Sequence, residues 1–192
     1  MHLKAITLGV LAAAAAFTSV LAEPKTYAID PSHMEVTYAI NHLGFSTSKG
    51  RFSDVQSALT LDEANPAASK VTATIKVASL DTGFAKRDEH ILSADFFDAA
   101  KYPTITFVSK GVTVTGPKTA KLAGDLTLHG VTKPVVLDAA ITAIGPSPLS
   151  KAPTAGVHAT TTIKRSDFGV TAYLPAIGDE VTITIDAEYT QP

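Results

Sequence analysis

The chain of 192 residues contains no cysteine and no tryptophan, and only two methionines. Without a thiol there is no cysteine nucleophile, no iron–sulfur cluster, no cysteine-bound zinc and no disulfide framework. A cysteine-borne N-terminal lipid anchor is excluded as well. Excess positive charge is also missing: 16 Lys and Arg stand against 18 Asp and Glu, a net of −2. A nucleic-acid partner would want a basic face, so none is expected. Beyond the first residues no apolar run is long enough to span a bilayer.

The one long apolar run opens the chain. "MHLKAITLGVLAAAAAFTSVLA" has a lysine near its start, then an apolar stretch, then small residues, with Val20 and Ala22 at the minus-three and minus-one positions of a cleavage site. This pattern reads as a secretory signal peptide over residues 1–22, cleaved after Ala22. Its removal takes away Lys4 and no acid. The rest, residues 23–192, is the size of one ordinary domain with a core of its own. It shows no repeat and no low-complexity segment.

What fills that domain is alternation of period two. In "SKVTATIKVASL", Val71, Ala73, Ile75 and Val77 share one face, and Thr72, Thr74 and Lys76 the other. In "DEVTITIDAEYT", Val181, Ile183, Ile185, Ala187 and Tyr189 oppose Thr182, Thr184, Asp186 and Glu188. The same pattern runs through residues 33–42, 50–61, 103–115, 119–129, 132–145 and 154–166, predicting eight strands. Short polar or Gly/Pro connections suit antiparallel pairing. A sandwich would satisfy the pattern. A closed barrel satisfies it and also removes exposed edges. The expected fold is therefore all-β: an extended eight-stranded antiparallel barrel with one short helical insertion.

The insertion is "DTGFAKRDEHILSADFFDAAKYP", residues 81–103, which lacks alternation. Asp81 or Thr82 is placed to cap a helix, and Phe84, Ile91 and Leu92 fall on one helical face. Ser93 suits a second, shorter turn through Phe96 and Phe97, and Pro103 ends the excursion. The cluster "RDEHILSADFFD" invites an acid–base reading. Yet Arg87, Asp88, Glu89 and His90 are consecutive and spread around a helix, so a solvated helix face is the simpler reading.

Other chemistry finds little support. His33, His42, His129 and His158 form no HxH pair and no helical i, i+4 pair, so no metal site is expected. No GxSxG is present, and the "DFG" at 167–169 lacks every companion motif of a kinase. It predicts a strand ending in a glycine turn. Thr127, Lys133 and Asp167 read as structural positions at turns and strand ends. No cofactor is called for.

What remains is the inside of the barrel. Its predicted lining includes Tyr38, Ile40, Phe52, Ile75, Val77, Ile105, Phe107, Leu126, Leu128 and Leu137, together with Val36, Leu59, Ile141 and Ile163. Small residues such as Ala73, Ala120, Gly124, Ala139 and Ala159 share those faces. Such a lining fits either a long apolar void or a solid core. A void would take a long apolar chain, each buried methylene contributing about 0.8 kcal/mol before association costs.

Four stretches in order resemble the YceI-like family of exported lipid-binding proteins: "YAIDPSHMEVTYAINHLGFSTSKGRF", "FAKRDEHILSADFFDAAKYPTITFVS", "LAGDLTLHGVTKPVVLD" and "IKRSDFGV…IGDEVTITIDAEY". They run from Tyr27 to Tyr189. The resemblance implies a lipocalin-like barrel, an elongated cavity for polyisoprenoid or similar amphiphilic chains, a bacterial periplasmic address, and binding rather than catalysis. On that basis Phe45, Phe84, Arg87, His90, Ile91, Phe96, Phe97 and Phe168 join the expected ligand-binding set. Phe84, Ile91, Phe96 and Phe97 would gate or line the cavity, and Arg87 or His90 would stand near a polar head. Leu92 departs from the family, whose members often carry a basic residue there, which implies a neutral or different head group. Fatty acids, fatty amides or other amphiphiles would suit the same cavity. An accessory role in isoprenoid or quinone metabolism and a purely structural or adhesive role stay open, as do a homodimer and transient membrane contact.

Overall fold

The computed structural model describes residues 23–191. The leader read over 1–22 lies outside the described residues. The elements are β1 (Lys25–His42), β2 (Ser46–Phe52), β3 (Val55–Leu61), β4 (Lys70–Lys76), β5 (Leu80–Asp81), α1 (Ala85–Leu92), β6 (Thr104–Val114), β7 (Thr119–Leu128), β8 (Val131–Pro146), β9 (Pro153–Lys164) and β10 (Ile177–Thr190).

The strands form one antiparallel sheet in the order β10-β9-β8-β7-β6-β4-β3-β1, and β10 pairs back onto β1 to close it. Closure leaves the long strands without a free edge, so their backbone groups are spent within the sheet. The result is an all-β, eight-position antiparallel barrel with one short helix. Ten strands fill eight positions because the stretch 50–61, expected as one strand, begins earlier and breaks at Ser53–Asp54. Its two halves share one partner: Val36–His42 of β1 pairs with Phe52–Ser46 of β2, and Lys25–Ala28 pairs with Leu61–Ala58 of β3. The two-residue β5 adds a flap on β2, Arg51 opposite Asp81 and Phe52 opposite Leu80.

The first strand starts at Lys25, well before the expected residue 33. Its alternation is hidden by an irregularity between Ile29 and Met34. There Asp30 accepts hydrogen bonds from the backbone N–H of Ser32 (2.8 Å) and from its hydroxyl (2.6 Å), and stands 3.0 Å from the His33 ring. A local turn of this kind competes with ladder bonding, so no period-two pattern survives across it. The 41–50 region is mostly strand; only Leu43–Phe45 turns, with Leu43 and Gly44 at positive φ. The β7–β8 hairpin is tighter. Leu128 pairs with Val131, and His129 and Gly130 both take positive φ (51° and 74°), the geometry a two-residue hairpin needs.

The excursion between β5 and β6 contains α1, but its start differs from expectation. Phe84 occupies the N-cap position, without a side-chain cap bond. Asp81 instead accepts from Gly83 N–H (2.8 Å), and Thr82 donates its N–H (2.9 Å) to Asp88 within the helix. The helix thus begins after Phe84, which removes that residue from the Ile91–Leu92 face. Ser93 closes α1 and carries the following turn, its carbonyl accepting from Phe96 N–H (3.1 Å).

Buried apolar side chains gather in two clusters. One lies beneath α1 around Phe52, Val77, Ile105, Leu126 and Phe168, with Ile91, Leu92, Phe96 and Phe97 packed on it. The other, around Tyr27, Leu59, Ala155 and Tyr189, lies toward the opposite end. Hairpin geometry defines these ends. The turns at 43–45, 129–130 and 165–176 share the α1 end; the connections at 62–69, 115–118 and 147–152 share the other. Among the described residues no helix is long and apolar enough to cross a membrane.

An apolar cavity along the barrel as candidate binding site

The barrel encloses a cavity of about 890 Å³. That is toward the upper end of the roughly 300–1,000 Å³ usual for small-molecule sites. The cavity exists because the inward faces mix bulky residues with small ones. Ala73, Ala120, Ala139 and Ala159 all line it, and none reaches across the lumen. Of the two expectations for the interior, a solid core and a long void, the structure has the void.

Most expected lining residues stand on the cavity wall: Tyr38 and Ile40 of β1, Phe52 of β2, Ile75 of β4, Ile105 and Phe107 of β6, and Leu126, Leu128 and Leu137 of β7 and β8. From the insertion, Arg87, His90, Ile91, Phe96 and Phe97 also reach it. Phe97 meets Phe52 edge-on, with ring centroids 5.8 Å apart, so the insertion is tied to the wall by an aromatic pair.

Four expected residues stand outside the cavity. Val77 keeps the parity of its strand in the sequence, but β4 ends at Lys76; Val77 begins a 3₁₀ turn and is packed in the core at 1 % exposure. Phe168 is likewise fully packed, in the turn before Gly169. Phe84 is 58 % exposed, because α1 begins only at Ala85. Phe45 is 91 % exposed at the tip of the β1–β2 hairpin.

Two residues at the α1 end were not expected. Tyr173, in the loop before β10, stacks on Phe96 (5.9 Å between centroids) and meets His90 edge-on (5.8 Å). Its loop has no periodicity, so nothing local announces it. Arg165 is buried and lines the cavity. It donates to the carbonyls of Val170 (3.0 Å), Ala172 (2.9 Å), Ile177 (3.0 Å) and Gly178 (2.8 Å). One guanidinium thus gathers the loop that carries Tyr173. Burial pulls its pKa below the usual arginine value, partly offset by Asp179.

Polar groups on the wall are few. Arg87 is turned back on its own element, donating to the Thr82 hydroxyl (2.9 Å) and carbonyl (2.7 Å). His90 stands 3.4 Å from Asp95. Burial pushes the Tyr38 pKa up to about 12, with Arg87 pulling it down and Asp88 raising it, so the hydroxyl is neutral at any physiological pH. Elsewhere, on the outer surface, Asp30, His33 and Glu188 offer ligand atoms within 4.8 Å of one another. Histidine spacing along the chain does not join them, since Glu188 comes from β10. Their contacts are those of the β1 turn described above.

Residues 27–189 match the model of the YceI-like domain. A UPF0312 protein of Ectopseudomonas mendocina is 44% identical over 164 residues, covering 84% of this chain and 85% of that protein. A UPF0312 protein of Pseudomonas putida is 48% identical over 146 residues, covering 75% and 76%. Among solved structures, the YCEI protein of Campylobacter jejuni is 33% identical with a TM-score of 0.72, covering 79% of this chain and 90% of that one. Burkholderia cenocepacia BcnA superposes with a TM-score of 0.76 at 26% identity, covering 83% and 98%. A polyisoprenoid binding domain from Saccharophagus degradans, 18% identical with a TM-score of 0.65, shares the fold. A barrel closed around an apolar lumen, topped by the "RDEH" helix and matched over nearly its whole described length, belongs to the YceI-like family.

Proposed function

We propose that this protein binds and carries polyisoprenoid-type lipids without catalysing a reaction, as one domain over residues 23–192, in the periplasm after removal of the leader. The observation that carries this reading is the cavity itself. It is long, apolar on nearly every side and poor in groups that could do chemistry. Taking about 30 Å³, the share of one water in the liquid, for each water-sized group, the 890 Å³ cavity has room for roughly thirty such groups. A tail burying about twenty methylene-sized groups gains on the order of 16 kcal/mol of transfer free energy before association costs. Affinity therefore comes from length and shape, with little demand on polar contacts. The fold shared with a polyisoprenoid binding domain supports the same ligand class.

In this reading Ile91, Phe96 and Phe97, with Tyr173 behind them, close the α1 end over the ligand, and Ile40, Phe52, Ile75, Ile105, Phe107, Leu126, Leu128 and Leu137 hold the tail. Arg87 and His90 stand where the chain enters. No cofactor is required.

The test is native mass spectrometry of the protein purified from its periplasm, followed by organic extraction. A co-purifying long isoprenoid chain is the expected result. A fatty acid or amide in its place would keep the cavity and change the ligand class. Empty protein that ignores added polyprenyl and fatty-acyl lipids would overturn the reading.

A further inference from the structure

Of the three tyrosines that line the cavity, Tyr38 and Tyr189 stand on strands near opposite ends of the barrel, and they are not equivalent. Tyr189, away from α1, bonds its hydroxyl to Ser57 Oγ at 2.8 Å. The hydroxyl of Tyr38, at the α1 end, is buried and has no partner; among the described residues it is the one buried side-chain oxygen or nitrogen in that condition. A buried polar atom left unpaired costs free energy, so each one in a native structure calls for a partner or a role.

The ring of Tyr38 is held in place. It lies over Gly50, its cross-strand partner, so closely that a Cβ there would stand 2.6 Å from Tyr38 Cε1. Phe52 lies beside it, with ring centroids 6.4 Å apart. In this position the hydroxyl is out of solvent and has no partner in the protein. The cations that line this end already have partners in the protein: Arg87 donates to Thr82, Arg165 to four backbone carbonyls, and His90 stands against Asp95, so none of them is turned to the hydroxyl as a ready anion site.

We propose that the Tyr38 hydroxyl donates a hydrogen bond to an uncharged carbonyl-type oxygen in the head of the bound lipid. The head lies beneath α1, and the tail runs toward Leu59, Val71 and Val157 at the opposite end. This rests on the lipid-binding reading above. It makes Tyr38 the residue that sets both head-group preference and the direction in which the chain enters.

The experiment compares the parent and Tyr38→Phe as full-length, delipidated proteins. Each is titrated with three probes: a benzoquinone bearing a long isoprenoid tail, the hydrocarbon of the same tail, and the matching prenyl phosphate. The expected result is an approximately 3- to 10-fold loss of affinity for the quinone alone. Hydrocarbon affinity stays level or tightens, and phosphate affinity is unchanged. The thermal midpoint does not fall, because the variant removes an unpaired buried atom rather than a contact. Equal quinone affinity in both proteins would overturn the assignment of Tyr38 and leave lipid binding standing. An equal loss for all three probes, or a lower midpoint, would show a packing role and overturn it too. A larger loss for the phosphate would overturn the uncharged head. A parent that binds none of the probes would sink the lipid-binding reading, and this inference with it.

Discussion

Single residues decide the shape of the wall. Gly124 on β7 lies under Phe107, and a Cβ there would stand 2.4 Å from Phe107 Cζ and 2.7 Å from the backbone oxygen of Val108. The backbone contact cannot yield easily, so Gly124→Ala should cost about 1–3 kcal/mol by denaturant titration and tilt Phe107 into the lumen. Outside the barrel, the β1 turn titrates. The Ser32 hydroxyl and then His33 lower the Asp30 pKa to about 2, and Asp30 raises that of His33. A lowered carboxylate stabilises the fold above its unfolded pKa of about 3.9 and loses this as pH falls toward 2; a raised histidine stabilises below about 6.5 and loses this as pH rises through its folded value. The turn is therefore firmest between about pH 4 and 6.5. A proton NMR titration should place the His33 midpoint above its ordinary 6.5. Asp30→Asn should return it toward that value.

At the scale of elements, the α1 excursion and the 165–176 loop act together at one end of the barrel. Phe96 and Phe97 bridge them to the wall through Tyr173 and Phe52. Replacing both with alanine should weaken lipid binding more than it lowers stability, because the barrel ladder does not depend on them. Unchanged affinity in a folded double variant would remove the insertion from the binding site. Arg165 is the opposite case. Arg165→Met strands four carbonyls, one buried and three partly buried, and should cost roughly 2–4 kcal/mol in thermal or denaturant unfolding. The insertion was legible as an interruption of period two, and Ser93 and Pro103 were legible as its punctuation. Its starting point was not. Phe84 looks like a core residue at i, i+7 from Ile91, but the Thr82–Asp88 bonds set the first turn after it, and that pairing is a matter of geometry rather than pattern.

For the molecule as a whole, the question is whether the barrel is hollow in solution. Ala139 on β8 faces the lumen between its partners Ala120 and Ala159. In a packed core Ala139→Leu would overfill the space and cost about 1–3 kcal/mol. In a hollow barrel the added carbons meet empty volume, so stability should hold or rise. The longest ligands should bind more weakly, while shorter ones are spared. Calorimetry of the variant beside a chain-length series of isoprenoids measures both.

Alternation of Val, Ile and Thr was sufficient to determine an all-β chain, its antiparallel pairing and most of the inward-facing residues, because a strand's side chains alternate by necessity and one face must be apolar. The "RDEH" to "YPTITF" stretch and its companions were sufficient to indicate the family. Closure was expected from the need to remove edges, but the joining of β2 and β3 into one barrel position and the hollow between the walls arose only when distant strands were brought together. So did the placement of Arg165 and Tyr173, and the unpartnered hydroxyl of Tyr38. Each depends on what stands across the lumen, and the order of residues along one strand carries no record of what faces it.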